Sequence, residues 1–158
     1  GHHRTGTDRV AEVAKKIQAD VILNVQGDAP LMNPDMFSQV VEPHLANPSV
    51  LVSTLKYPIS YKEELLNSNV VKVIVNQQNE AIYFSRLPIP HSVDSNVTEY
   101  LCFRHIGIYC MKKAFLLEFS SWLPTPLENA EKLEQLRILE HGVKIHVPTT
   151  TYKTVDVN

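Results

Sequence analysis

Cysteine is scarce in this chain of 158 residues: only Cys102 and Cys110 occur. Two thiols eight positions apart on one strand share a face but sit too far apart along it to bond to each other. A disulfide framework is therefore excluded, and so is a zinc site built on closely spaced Cys and His. The pair reads instead as buried, reduced thiols of a cytoplasmic protein. Glycine is sparse too. The five glycines form neither a Walker loop nor a GxGxxG turn. No Ser-His-Asp order suited to nucleophilic catalysis is defensible. An excess of one charge is also lacking, with 15 basic against 17 acidic residues and a net charge of −2. That argues against a nucleic-acid partner, which wants a basic face. It leaves room for a small anionic ligand, which needs only a few local cations. No apolar run approaches the ~20 residues of a membrane helix, and no signal peptide is visible, so no membrane insertion is expected.

What the sequence does hold is an ordinary globular composition, 44% hydrophobic, at the length of one domain. A chain of this size can bury roughly two-thirds of its unfolded surface. Gly1-His2-His3 at one end, and the absence of a closing helix after Asp156 at the other, read as interior cuts. Residues 1–158 are expected to be a single-domain fragment.

Periodicity and punctuation order the chain. Val10, Val13, Ala14 and Ile17 recur at helical spacing, with Thr7 as a plausible N-cap. An apolar, β-branched strand follows over 21–25. Asn33-Pro34 opens a helix that turns Met36, Phe37, Val40 and Val41 inward, with Pro43 in its last turn or at its end. Strands are predicted over 50–55, 70–75, 81–85, 101–111 and 143–147. The 70–75 and 81–85 strands are joined as a hairpin by Asn76-Gln77-Gln78-Asn79-Glu80. Ser60 and Glu63 form a capping-box pattern for a short helix through Leu66. Leu87-Pro88-Ile89-Pro90 cannot be a regular element, and the stretch to Tyr100 reads as a surface loop or lid. After a short helix through Phe119, Thr125-Pro126-Leu127-Glu128 starts a long helix, with an apolar stripe at Leu127, Ala130, Leu133, Leu136 and Leu139. His141 and Gly142 end it. Helices alternate with strands first and hairpin-like pairs come later, which predicts a mixed sheet with helices on its faces.

Several residues could carry chemistry. The run Val21-Ile22-Leu23-Asn24-Val25 stops at Gln26-Gly27-Asp28, which delivers a carboxylate to the rim of the sheet. Ligands bind outside the carboxyl ends of strands in open α/β sheets, and hard oxygens of this kind suit Mg²⁺. Ordinary turn chemistry accounts for Gly-Asp equally well. His3-Arg4-Thr5-Gly6-Thr7 leads into a helix N-terminus, a place that favours an anion or a base edge, or a plain capped helix. Arg86 follows a strand and is suited to bidentate capture of a carboxylate or phosphate, or is a surface Arg. His105, Gly107 and Tyr109 share one strand face, where they could cradle a polyol or sit in the core. Glu131, Lys132, Glu134 and Gln135 read as a solvated helix face.

Taken together and in order, these segments carry a resemblance. They are His3-Arg4-Thr5-Gly6-Thr7-Asp8-Arg9, Val25-Gln26-Gly27-Asp28-Ala29-Pro30, Asn69-Val70-Val71-Lys72-Val73, Ala81-Ile82-Tyr83-Phe84-Ser85-Arg86 and Arg104-His105-Ile106-Gly107-Ile108-Tyr109. Leu127-Glu128 through Glu134-Gln135-Leu136-Arg137 and Lys144-Ile145-His146-Val147 complete the set. Over nearly the whole chain this resembles the 3-deoxy-manno-octulosonate (Kdo) cytidylyltransferase, or CMP-Kdo synthetase, family.

The resemblance implies an α/β fold, a nucleotide-diphospho-sugar-transferase-like α/β/α sandwich with a mixed central sheet, here lacking its first strands. It implies a homodimer that joins CTP to Kdo, with Mg²⁺, to give CMP-Kdo and pyrophosphate for lipopolysaccharide. Asp28 and Asp156 match the catalytic, metal-binding aspartates. Gln26, Arg86, His105, Tyr109, Glu134 and Gln135 fall where the family contacts the sugar acid. His3, Thr5, Gly6 and Thr7 border the nucleotide. The sequence departs from the family pattern at Ala29 for Glu, Asp8 for Glu, and Val157-Asn158 for Thr-Pro. The family's Pro-Ala-Arg-x-x-Ser-x-Arg-Leu-Gly-Lys loop, which cradles the CTP phosphates, is absent, so this chain alone is expected to be inactive. A cytidylyltransferase for a sialic acid or 8-amino-Kdo, and a non-catalytic sugar-acid-binding or dimerisation module, are the alternatives. The 88–111 region is the expected dimer contact.

Overall fold

The computed structural model describes residues 5–25, 32–91, 93 and 102–152. In chain order the elements are α1 (Gly6–Ala14), β1 (Val21–Val25), α2 (Asp35–Ala46), β2 (Val52–Pro58), α3 (Lys62–Leu66), β3 (Lys72–Val75) and β4 (Ala81–Ser85). They continue with β5 (Phe103–Lys112), α4 (Lys113–Phe119), α5 (Pro126–Glu131), α6 (Gln135–Glu140) and β6 (Ile145–His146).

Strand β5 organises the sheet. Its side chains alternate faces with the pleat. Phe103, Tyr109 and Met111 join a core with Ala11 and Ala14 of α1, Phe115, Leu116 and Phe119 of α4, and Leu136 and Ile138 of α6. Ile106, Ile108 and Cys110 join the opposite core with Met36 and Val40 of α2 and Leu55 of β2. The sheet is thus sandwiched between α2 on one face and the other long helices on the second, the expected α/β/α layering. The strand order is β4-β3-β5-β2-β6, with β1 also paired to β5. β2 and β6 are parallel, and the other paired strands are antiparallel, so the sheet is mixed. Cys102 and Cys110 are both buried and unbonded to each other.

The register of β5 leaves a gap that matters for function. Along one side, β2 accompanies it from Met111 to Phe103. Along the other side two strands share the edge. β1 takes Lys112 to Ile108, and β3 takes Arg104 and Phe103. Between them lie His105, Ile106 and Gly107; on this side, among the described residues, the His105 amide donates to the Val71 carbonyl at 2.8 Å. Among the described residues, the sheet therefore opens between the end of β1 and the start of β3.

Local signals explain most of the elements, and four features depart from expectation. Asn33 Oδ1 accepts the Asp35 N–H at 2.9 Å as α2 begins, and Pro43 lies in its last turn. The N-cap of α1 is Thr5, not Thr7. Thr5 is extended and its hydroxyl accepts the Asp8 N–H at 3.2 Å, while Thr7 is buried a step further in. Helix α3 starts after Tyr61 with no side-chain cap, so the Ser60–Glu63 pattern forms no capping box. The 87–90 stretch forms no regular element, as expected, and contains a cis Ile89–Pro90 bond.

The largest departure is the long helix predicted from Thr125. It is two helices, α5 and α6, separated by Lys132 in the left-handed region at φ 55°, ψ 45°. Of the predicted stripe, Leu133 and Leu136 are buried while Leu127 is exposed. The break lets Leu133, Leu136, Ile138 and the charged Arg137 all pack inward. A Lys at this backbone conformation carries a steric cost that Gly avoids, about 1–2 kcal/mol. Lys132→Gly is expected to stabilise the fold by about 0.5–1 kcal/mol after the greater freedom of Gly in the unfolded chain is offset. Urea denaturation of the two proteins checks this. The last strand is also shorter than 143–147, reduced to Ile145–His146 beside β2.

Candidate active site

A cavity of about 390 Å³ opens at the uncovered edge of β5. Its walls come from every element that meets the gap. Thr7 comes from α1, Asn24 from β1, and Asn69 to Val71 from the approach to β3. Arg86 follows β4, Arg104 to Gly107 and Tyr109 belong to β5, and Lys132 to Gln135 form the α5–α6 break. Of the sequence-predicted residues, Thr7, Arg86, His105, Tyr109, Glu134 and Gln135 are brought together here. Gly6 is the exposed first residue of α1 and is not on the cavity wall, and a Cβ there would meet nothing within 4 Å. Thr5 reaches the site through Glu134. His3, Gln26, Asp28 and Asp156 lie outside the described residues, as does most of the predicted lid. Among the described residues no group of three or more His, Cys, Asp or Glu could hold a metal ion.

Arg86 is anchored rather than waving at the surface. Its Nε donates to the Glu131 carbonyl at 2.8 Å and its Nη1 to the Ser68 carbonyl at 3.1 Å. The Glu131 carboxylate accepts the Arg86 amide at 2.9 Å and the Ser85 hydroxyl at 2.7 Å. Beneath them lies Lys72, fully buried. Its ammonium donates to the carbonyls of Val70 (2.6 Å), Asn67 (2.9 Å) and Arg86 (2.5 Å). Burial, then the nearby Arg86, lowers the Lys72 pKa from its ordinary value, and Glu131 opposes this. A charge-assisted clamp of this kind fixes the turn that carries Arg86 and the loop that supplies Asn69 and Val70. Sequence reasoning passed over Lys72 and treated Glu131 as solvated. Neither carries a local signal, because their partners are backbone carbonyls and amides from distant segments.

His105 is neutral in the site. Burial lowers its pKa to about 3, with the adjacent Arg104 guanidinium contributing. Its Nε2 lies 2.9 Å from Thr54 Oγ1, and that hydroxyl is 2.7 Å from the Ile108 carbonyl and 3.0 Å from the Ile106 carbonyl. The one hydroxyl hydrogen goes to a carbonyl, so Thr54 accepts from the imidazole. This assigns the Nε2–H tautomer and leaves Nδ1 as an acceptor. Phe84 meets the ring edge-on at a centroid distance of 5.1 Å, and Tyr109 lies at 5.4 Å. The low pKa has a direct consequence: the His105 imidazole is expected to keep its neutral ¹⁵N shifts down to about pH 5, below the ordinary titration of histidine. Heteronuclear NMR across that range checks this. Since the folded pKa is depressed, the linked stability is present above the ordinary histidine pKa and is lost as pH falls below it.

Tyr109 is buried, and burial together with the Glu134 charge raises its pKa well above that of a free phenol, so it serves as a protonated hydroxyl. Glu134 receives the hydroxyls of Thr5 on Oε1 (3.0 Å) and Thr7 on Oε2 (2.6 Å). Arg137 Nη2 stands 3.7 Å from Oε1. Arg104 brings a second guanidinium to the wall, paired with Glu64 at 3.0 Å. The cavity is thus a pocket of fixed cations and neutral hydrogen-bonding groups with one oriented carboxylate. Such a set suits an anionic, polyhydroxylated ligand. The solvated helix face expected over Glu131 to Gln135 is instead a helix break and the first turn of α6, which place Glu134 and Gln135 on the cavity wall.

Comparison with known proteins fixes the family. A family model described as cytidylyltransferase matches residues 1–145. This chain belongs to the cytidylyltransferase family. Among curated relatives, the 3-deoxy-manno-octulosonate cytidylyltransferase of Geobacter metallireducens is 46% identical over 99% of this chain and 65% of its own length. The protein of the same name from Fusobacterium nucleatum is 44% identical over 99% of this chain and 64% of its own length. A solved structure of CMP:2-keto-3-deoxy-manno-octonic acid synthetase complexed with CTP superposes with a TM-score of 0.88 at 34% identity. That match covers 98% of this chain and 64% of the other. The chain therefore spans about 65% of the length of the curated relatives it matches. The fold of this cytidylyltransferase family member is a mixed-sheet α/β sandwich like that of the synthetase it resembles. None of its described helices is long and apolar enough to cross a membrane.

Proposed function

We propose that the full-length protein is a cytidylyltransferase that activates Kdo with CTP, giving CMP-Kdo and pyrophosphate for lipopolysaccharide assembly. The observation that carries this reading is the cavity at the β1–β3 gap. It gathers Arg86, His105, Tyr109, Glu134 and Gln135 from three separate stretches of chain around a space suited to a sugar acid. In this reading the Arg86 guanidinium, steadied by two backbone carbonyls, takes the sugar carboxylate. Glu134 accepts hydrogen bonds from sugar hydroxyls, the Tyr109 phenol donates one, and Gln135 can do either. His105 offers Nδ1 as an acceptor without adding charge beside Arg86 and Arg104.

The anomeric hydroxyl, held in this way, attacks the α-phosphorus in line. A new oxygen–phosphorus bond forms as the α–β anhydride bond breaks and pyrophosphate leaves. Catalysis of this type is mainly positioning and charge neutralisation. His3, Thr5, Gly6 and Thr7 border the nucleotide. Asp28 and Asp156 would hold Mg²⁺, their carboxylates being hard oxygen donors of the class that ion takes. β1 supports the place of Asp28, because Asn24 lies on the cavity wall and Asp28 follows Val25 by three residues. When bound, the ion would neutralise phosphate charge at the reacting phosphorus. A homodimer in the cytoplasm completes the reading.

The test is formation of CMP-Kdo from CTP and Kdo by the full-length protein, followed by mass spectrometry. Chelation is expected to stop turnover and Mg²⁺ to restore it. Absence of product with Kdo, alongside product with a sialic acid or 8-amino-Kdo, would move the substrate to that acid. Binding of Kdo with no CTP binding in calorimetry would make the protein a non-catalytic module.

A further inference from the structure

The Thr5-Gly6-Thr7 segment does something that its place beside the nucleotide does not require. Thr7 is buried, and its hydroxyl donates not outward but to Glu134 Oε2 at 2.6 Å, across 127 positions of sequence. Thr5 donates to the other oxygen, Oε1, at 3.0 Å, while the same hydroxyl accepts the Asp8 N–H as the cap of α1. A carboxylate has about four lone-pair sites. Two are taken by these hydroxyls, Arg137 Nη2 stands 3.7 Å from Oε1, and the carboxylate lines the cavity where a ligand would meet it. Thr5 and Thr7 set the direction of the remaining lone pairs, because Glu134 lies two residues after the left-handed Lys132 and just ahead of α6, outside either helix.

We propose that Thr7 is a positioning residue for the sugar-acid side of the site. With Thr5, it fixes the Glu134 carboxylate in the orientation that receives the sugar hydroxyls, and it ties that orientation to the first turn of α1. This deepens the assignment of Glu134 to the sugar acid and rests on it. The segment before α1 and the α5–α6 break are therefore joined through this carboxylate.

The experiment uses the full-length enzyme and steady-state kinetics with each substrate varied in turn. Thr7→Val keeps shape and removes the donor. It is expected to raise KM for Kdo about tenfold, the effect of losing one hydrogen bond to a charged group, and to change KM for CTP less than about twofold. Thr7→Ser restores the donor and is expected to lie within about twofold of wild type in both. In a Glu134→Gln background, Thr7→Val is expected to add little, because the paired oxygen is already altered. Thr7→Ala gives the same kinetic reading if the Val variant folds poorly. A rise in KM for CTP with KM for Kdo unmoved would make Thr7 a nucleotide contact and overturn the proposal. So would equal losses in Thr7→Ser and Thr7→Val, or a full Thr7→Val penalty in the Glu134→Gln background. Wild-type turnover of a different sugar acid would instead overturn the Kdo assignment, and the same variants would then be read on that acid.

Discussion

Arg86→Ala in the full-length protein is expected to lower kcat/KM for the sugar acid by about 10²–10⁴, and Arg86→Lys is expected to recover little of it. A guanidinium facing a carboxylate makes charge-assisted bonds of about 1.5–3 kcal/mol each, and a bidentate pair sums to several kcal/mol. At about 1.36 kcal/mol per decade, that is two to four orders of magnitude in transition-state stabilisation. The failure of Lys follows from the geometry. The Arg86 side chain is held by its Nε on the Glu131 carbonyl and its Nη1 on the Ser68 carbonyl. An ammonium has one nitrogen and cannot bridge two carbonyls and still present a planar pair of donors. Steady-state kinetics with Kdo varied at saturating CTP checks the prediction. An Arg86→Lys enzyme within about threefold of wild type would show that charge alone matters there.

Where the controlling physics is local, the sequence was legible. The five-residue strand over 21–25 and the hairpin strand over 81–85 fall where the apolar runs placed them. The Asn33-Pro34 and Thr125-Pro126 helix starts are equally local, since each rests on a side chain or ring acting within a few positions. The alternation in Arg104-His105-Ile106-Gly107-Ile108-Tyr109 correctly placed His105, Gly107 and Tyr109 on one face, because the pleat has no other option. Legibility ended where tertiary contacts set the answer. Nothing in Glu131-Lys132-Leu133 announces a left-handed residue, yet that residue turns Glu134 from a solvated helix face into a cavity wall. Thr5 and Thr7 look equally fit to cap α1; Thr5 takes the cap by accepting the Asp8 N–H, and the bonds of both hydroxyls to Glu134, 127 and 129 positions away, carry no local signal. The buried cations Lys72 and Arg137 are opaque for the same reason. Charged side chains read as surface until their partners are seen.

Arg137 yields the largest stability effect in the fold. Removing it is expected to destabilise the full-length protein by about 3–5 kcal/mol and to lower Tm by roughly 6–20 °C. The side chain is 2% exposed. Its Nε donates to Glu128 Oε2 at 2.7 Å and its Nη2 to Oε1 at 2.5 Å, while Nη1 donates to the Trp122 carbonyl at 3.2 Å. The guanidinium also lies over the Phe119 ring, 4.8 Å from its centroid. Glu128 has a second duty, accepting the Thr125 N–H at 3.1 Å at the start of α5. In Arg137→Ala the Glu128 carboxylate stays buried without its cation, and the start of α5 loosens with it. The desolvation of that stranded charge, more than the lost attraction, sets the size of the effect. It follows that Arg137→Met combined with Glu128→Leu should regain much of the loss, since a well-packed apolar pair replaces two buried charges. The rescue should be incomplete, because Glu128 also receives the Thr125 amide and Arg137 faces Glu134 at 3.7 Å. Thermal and urea unfolding of the single and double variants measures both parts. A double variant no more stable than Arg137→Ala would show that the pair holds the α5–α6 break by specific geometry. Sugar-acid affinity should then fall in step with stability, because the same break presents Glu134 and Gln135 to the cavity.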